Sequence, residues 1–119
     1  MSSTLGISVS EENGVSVLRL NGSLDANTQN NLEEKADEVI QAGASNMVLD
    51  LDEVTYMGSA GLRALHIIAG KFGGADQSER FAHLKLLNPS AEVRRVLKTL
   101  GFDNYIDVFD NLDDAINSF

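Results

Sequence analysis

The sequence predicts an α/β fold: a small, mostly parallel mixed sheet of about five strands, opened by an antiparallel hairpin and flanked by about four helices. Three observations carry this. Two apolar segments that alternate with polar residues, Leu5 to Ser10 and Val15 to Leu20, are joined through Asn13-Gly14, a pair that tolerates positive φ and so favours a tight hairpin. Beyond them, short apolar runs alternate with segments of helical period, the pattern of parallel strands joined by right-handed crossovers. Finally, 119 residues, 43% of them hydrophobic, suffice for one core but not for a second domain. Residues 1–119 are therefore expected to form a single domain, with the first few residues flexible.

The elements follow in order. Val15 and Val17, then Leu18 and Leu20 one step out of phase, make the second strand, which Gly22-Ser23-Leu24-Asp25 ends in a loop. A helix is expected from Asn27 to Ala42. Leu32, Ala36, Val39 and Ile40 form its apolar face, Glu33, Glu34, Lys35, Asp37 and Glu38 its wet face, and Gly43 its stop. Met47 to Leu51 is apolar enough for a strand buried on both faces. Asp52-Glu53 then reads as a short acidic loop before a second helix from Ser59 to Phe72, with Leu62, Leu65, Ile68, Ala69 and Phe72 inward. Gly73 to Ser78 is a flexible connection. Leu84 to Leu87 is a strand, and Asn88-Pro89-Ser90 turns it into a third helix, Ser90 to Leu100, with Val93, Val96, Leu97 and Leu100 inward and Gly101 as its stop. Tyr105 to Phe109 is the last strand. Asp110 or Asn111 caps a final helix bearing Leu112, Ala115, Ile116 and Phe119.

Composition narrows the function classes. A net charge of -9 argues against nucleic acid and against anionic membrane as partners, because both need a Lys/Arg face. The acidity reads as solubility, or else as steering toward a basic protein, since Phe102 to Phe119 holds five Asp and no Lys or Arg. There is no cysteine, hence no disulfide framework and no thiolate zinc site. Met1-Ser2-Ser3-Thr4 lacks the charged start and apolar run of a signal peptide, and no apolar stretch approaches the roughly 18 residues of a membrane span. A cytoplasmic protein is expected.

The most informative stretch is Val48 to Arg63, where a buried strand leads to Gly58-Ser59-Ala60-Gly61 and into a helix. Small neighbours leave the Ser59 hydroxyl bare beside the free N–H groups of a helix start, where a phosphate is tolerated. Ser59 is then a modification site, a nucleophile or simply an N-cap. A nucleophile elbow needs Gly-x-Ser-x-Gly, and Met57-Gly58-Ser59-Ala60-Gly61 puts the first glycine one position too close. Of the two histidines, His66 lies about two turns along the same helix, pointing away from its start, and His83 enters a strand near a sheet edge, so no triad is expected. Gly70-Lys71-Phe72 lacks the loop and hydroxyl of a phosphate-binding P-loop. Asp107, Asp110 and Asp113 straddle a strand end and a helix start, and Asp50, Asp52 and Glu53 lack a supporting ligand pattern, so no metal and no cofactor are expected.

Four segments together carry a resemblance: Gly22-Ser23-Leu24-Asp25, Val48-Leu49-Asp50-Leu51, Met57-Gly58-Ser59-Ala60-Gly61-Leu62-Arg63, and Asn88-Pro89-Ser90-Ala91-Glu92-Val93. In order and spacing they resemble the STAS domains of bacterial anti-sigma factor antagonists, over nearly the whole chain. The resemblance implies a non-enzymatic regulator. It would bind an ATP-binding anti-sigma factor that is also a serine kinase, release a sigma factor, and be blocked by phosphorylation of Ser59. It further implies a partner surface of Asp25, Met57, Gly58, Ala60, Gly61, Leu62 and Arg63, with Asp25 near the phosphoacceptor. Met57 and Leu62 are read either as its apolar centre or as core. The chain departs from the family pattern at Gly58, where many relatives carry Asp or Ser, and at Asp52, where Ser is common. The oligomeric state stays open, with a monomer favoured. Two other readings remain: a scaffold or transporter-associated STAS domain, and a small-ligand or nucleotide-binding module.

Overall fold

A computed structural model describes residues 4–73 and 81–119. β1 (Leu5–Glu12) and β2 (Val15–Leu24) pair antiparallel around Asn13-Gly14, whose φ values of 52° and 80° are those of a two-residue hairpin turn. β2 does not stop at Leu20. It continues to Leu24 because β1 pairs with one of its edges as far as Gly22 and β3 (Met47–Met57) with the other as far as Leu24↔Met57.

The expected acidic loop at Asp52-Glu53 is likewise strand. β3 holds an extra residue between the pairs Arg19↔Asp50 and Asn21↔Glu53, and again between Gly22↔Val54 and Ser23↔Tyr56. Side chains satisfy the first irregularity: the Asp52 N–H donates to Asp50 Oδ1 at 3.1 Å, and Asn21 Nδ2 donates to Glu53 Oε2 at 2.6 Å. The bulges let an eleven-residue strand follow its partner past residues that periodicity assigns to a loop.

β4 (Leu84–Leu87) and β5 (Val108–Phe109) complete a five-stranded sheet in the order β1-β2-β3-β4-β5, parallel from β2 onward. When parallel strands are laid down in chain order, crossovers of one hand put their helices on one face. The packing agrees. α1 (Gln29–Gln41), α2 (Ser59–Lys71) and α3 (Ala91–Thr99) share the main core with the inward residues of β2, β3 and β4. Among the described residues only α4 (Leu112–Asn117) covers the opposite face, where Ala115 and Ile116 meet Val15, Val17, Val48 and Leu87. β2 and β3 are thus apolar on both sides at their amino ends, whereas β4 places Lys85 and then Leu87 on the α4 side.

Several boundaries and faces differ from the sequence expectation. α1 starts at Gln29 because Asp25 to Thr28 form a separate turn, in which Asp25 Oδ1 accepts the N–H groups of Asn27 and Thr28 at 2.9 and 3.2 Å. Leu100 is 59% exposed because α3 ends at Thr99 and Gly101, at φ 76°, turns the chain away. β5 shrinks to two residues since Phe102–Asn104 form a 3-10 turn that buries Phe102. Of the expected connection Gly73 to Ser78, the part from residue 74 on lies outside the described residues. The acidic carboxyl-terminal segment is partly neutralised from within, as Lys85 pairs with Asp107 and Arg94 with Asp110, both at 2.7 Å.

Candidate functional site

The site is built where β2 and β3 end. The Gly58 N–H donates to the Leu24 carbonyl at 3.1 Å, which carries the ladder one step past Met57 and fixes the β3–α2 junction beside the β2–α1 loop. Gly58 is extended (φ -103°, ψ -171°), and its carbonyl accepts the N–H groups of Gly61 and Leu62 at 3.0 and 3.3 Å. Gly58 is therefore the N-cap of α2, and Ser59 is the first helical residue. Ser59 is exposed, and among the described residues its hydroxyl has no hydrogen-bond partner. It does not cap the helix.

Packing rather than capping holds this helix start. A Cβ at Gly61 would lie 2.9 Å from Leu24 Cγ, 2.9 Å from Met57 Cγ and 3.1 Å from the Leu24 carbonyl oxygen, so only glycine lets α2 approach this closely. Met57 and Leu62 are 4% and 5% exposed and belong to the main core. Of the two roles the sequence left open for them, they occupy the core one. Gly61 is buried with them. These three residues form the floor beneath the surface, which is presented by Ser59, Arg63, half-buried Gly58 and Ala60, and half-buried Asp25.

Asp25 follows Leu24 directly, so the Leu24–Gly58 hydrogen bond brings it to the same end of the sheet as Ser59. Its carboxylate also organises the turn into α1, and Thr28 Oγ1 supports that turn by donating to the Ser23 carbonyl at 2.8 Å. Arg63 is exposed and forms no ion pair with the described residues. Asp52 and Glu53 do not belong to this neighbourhood. As strand residues, Glu53 stands about 17 Å below Gly58 at about 3.3 Å per residue, beyond a Debye length at physiological salt.

The residues considered for other chemistry lie elsewhere. His83, which precedes β4, contacts Asn46, which precedes β3, with Nδ1 and Oδ1 2.9 Å apart. That is the amino end of the sheet, opposite Ser59. His66 is exposed on α2 with its ring edge-on to Phe81 and Phe102, at centroid distances of 5.6 and 4.7 Å. Asp107 and Asp110 are held in ion pairs, and Asp113 lies in the first turn of α4. Among the described residues no group of three or more His, Cys, Asp or Glu could hold a metal ion. No helix among them is long and apolar enough to cross a membrane.

Two features had no place in the sequence reading. Lys85 is 7% exposed within β4, pairs with Asp107, and lies 5.4 Å from the centroid of the Phe119 ring. Tyr56 is 56% exposed, and its ring lies over Gly58, with the hydroxyl oxygen 2.8 Å from where a Cβ there would stand. Tyr56 also borders a cleft of about 240 Å³ between the end of β3 and the first half of α3. Alternation along β3 would have turned Tyr56 outward had that strand been carried past Leu51.

Taken together, a mixed sheet whose carboxyl ends raise a bare serine on a tightly packed helix start defines an α/β module that presents a surface. The chain belongs to the STAS domain family, whose sequence profile matches residues 6–115. It is 32% identical over 113 residues to the anti-sigma-F factor antagonist RsfB of Mycobacterium tuberculosis (strain CDC 1551 / Oshkosh), covering 95% of this chain and 88% of that one. An anti-sigma F factor antagonist of Paenibacillus polymyxa is 27% identical over 113 residues, covering 94% and 92%. The crystal structure of an anti-sigma factor antagonist from Mycobacterium paratuberculosis superposes with a TM-score of 0.82 at 27% identity, covering 97% of this chain and 93% of that one.

Proposed function

We propose that the chain is an anti-sigma factor antagonist switched by phosphorylation of Ser59. In the unmodified state it binds an anti-sigma factor that is also its serine kinase, and a sigma factor is released. Phosphorylated on Ser59, it no longer binds. One observation carries the reading: Ser59 is exposed, unpartnered among the described residues and carried on a tightly packed helix start at the carboxyl end of the sheet. The names of the relatives support the class of partner. The reading places the protein in the cytoplasm and takes it as a monomer of one domain over residues 1–119.

The physics needs no rearrangement. A phosphate adds about -1.5 to -2 charge, which the first turn of a helix tolerates. The fold therefore stays as it is. Pressed into a dry interface beside Asp25, the same charge costs several kcal/mol. A loss of about 3 kcal/mol is roughly a hundredfold in affinity.

The test is affinity capture with unmodified protein from lysate of the source organism, with identification of the captured protein by mass spectrometry. The purified partner is then incubated with ATP and the chain. An anti-sigma factor in the eluate, labelling of Ser59, and loss of labelling in Ser59→Ala are the expected results. Labelling that persists in Ser59→Ala overturns the assignment of the phosphoacceptor.

A further inference from the structure

The geometry points to Tyr56 as the specificity contact of the partner surface, held in place by the absence of a side chain at Gly58. The inference deepens the functional reading above and rests on it. It starts from an outward-facing aromatic. Tyr56 precedes the core residue Met57 in β3, so its ring points to the surface and remains more than half exposed. The ring is nonetheless placed. It leans along the surface over Gly58, with its hydroxyl oxygen, Cε2 and Cζ at 2.8, 3.2 and 3.3 Å from the position a Cβ would take. Any other residue at 58 would push the ring aside. Because the obstructed atoms are the far end of an exposed side chain, the fold would survive that displacement.

This position sets the ring against the peptide that carries Ser59 and at the mouth of the cleft lined by Met57, Glu92, Arg95 and Val96. Arg95 is exposed and has no ion-pair partner among the described residues, while its neighbour Arg94 is taken by Asp110. Glu92 lies in the first turn of α3, where the positive end of the helix stabilises it without a cation. A chain of net charge -9 thus keeps an open guanidinium beside an open aromatic ring next to its bare serine. Tyr and Arg are the residue types that dominate interface energetics. The complementary feature is an apolar side chain with a neighbouring carboxylate, contributed by the anti-sigma factor that docks over Ser59.

The experiment is binding of the purified anti-sigma factor, captured and identified as above, to the wild type, Tyr56→Phe, Tyr56→Ala, Gly58→Ala and the Tyr56→Ala/Gly58→Ala double variant, all unphosphorylated. Melting midpoints serve as the fold control. Tyr56→Phe is expected to stay within about threefold of wild type and Tyr56→Ala to lose on the order of thirtyfold, the loss of a hot-spot residue. Gly58→Ala is expected to lose about three- to tenfold by displacing the ring, and to change nothing further once Tyr56 is alanine. Should Tyr56→Ala lower the melting midpoint, Tyr56→Gln carries the same expectation. Affinity for Tyr56→Ala and Tyr56→Gln within threefold of wild type overturns the inference. So does a Gly58→Ala penalty of equal size in both backgrounds. A wild-type chain that binds no anti-sigma factor overturns the functional reading, and this inference with it.

Discussion

Two helices of this molecule begin at a serine after a parallel strand, and they are started in different ways. At α3, Ser90 is the N-cap: its hydroxyl accepts the Val93 N–H at 3.2 Å, and Glu92 adds a carboxylate to the first turn. At α2, the cap is Gly58, the first turn holds no acid, and Ser59 stands one position inside the helix with its hydroxyl unpartnered among the described residues. Local hydrogen bonds fix the first start. The second is fixed from below by Gly61 against Leu24 and Met57. The lesson is that a serine hydroxyl is left open to solvent when tertiary packing does the work that its side chain would otherwise do.

The largest expected effect tests what the free hydroxyl is for. Ser59→Asp should weaken binding of the captured anti-sigma factor about a hundredfold relative to Ser59→Ala, an interface cost of about 3 kcal/mol. Isothermal titration with both variants measures it. Equal affinities would remove the charge mechanism and leave the openness of Ser59 without a role.

The next effect concerns what holds α2 without a side-chain cap. Gly61→Ala should lower stability by about 1–2 kcal/mol. Overpacking costs about 1–3 kcal/mol, here about 2–3 because Leu24 Cγ, Met57 Cγ and the Leu24 carbonyl oxygen all lie within 3.1 Å of the added Cβ, and the better helix propensity of alanine offsets about 1 kcal/mol of that. Urea unfolding at constant m-value measures it. A neutral or stabilising Gly61→Ala would mean that the helix start is not set by this contact.

Much of this was legible in the sequence, for identifiable reasons. The alternation of apolar runs with helical periods is a long-range pattern, so the five strands and four helices of the described residues and the hairpin at Asn13-Gly14 could be read directly. The bulges in β3 could not. They depend on Asp50 answering a backbone N–H within the strand and on Asn21 answering Glu53 from the neighbouring one, a pairing that no single segment displays. Ending β3 at Leu51 hid Tyr56 as an outward strand residue and made a loop of Asp52-Glu53. Ser59 was legible as a bare serine at a helix start. Whether it was the cap or the residue after it turned on one position, and the Leu24–Gly58 hydrogen bond decides that position. The Lys85–Asp107 pair was hidden because its partners are brought together only by the β4–β5 pairing.

The third effect is the cap itself. Ser90→Ala should cost about 1 kcal/mol, because the Val93 N–H loses its acceptor at the start of a short helix. Thermal or urea unfolding will show it, and Ser90→Asp should recover most of it. An unchanged midpoint for Ser90→Ala would mean that α3 is held by Val93 and Leu97 in the core rather than by its cap.

The smallest expected effect discriminates best. Ser59→Ala should leave stability within about 0.5 kcal/mol of wild type, as exposed substitutions without a bonded partner do. The hydroxyl satisfies no N–H, alanine is the better helix former, and the contacts that place the turn belong to Gly58 and Gly61. Measured beside Ser90→Ala under the same conditions, the pair isolates one variable, whether a serine at a helix start is structural. A loss at position 59 matching that at position 90 would show that the Ser59 hydroxyl acts as a cap in solution. Phosphorylation would then have to break a structural bond, and the unchanged fold on which the switch depends would no longer hold. Near-zero at 59 against about 1 kcal/mol at 90 would instead mean that the Ser59 hydroxyl can be modified without a conformational penalty, which is what a switch acting solely through charge requires.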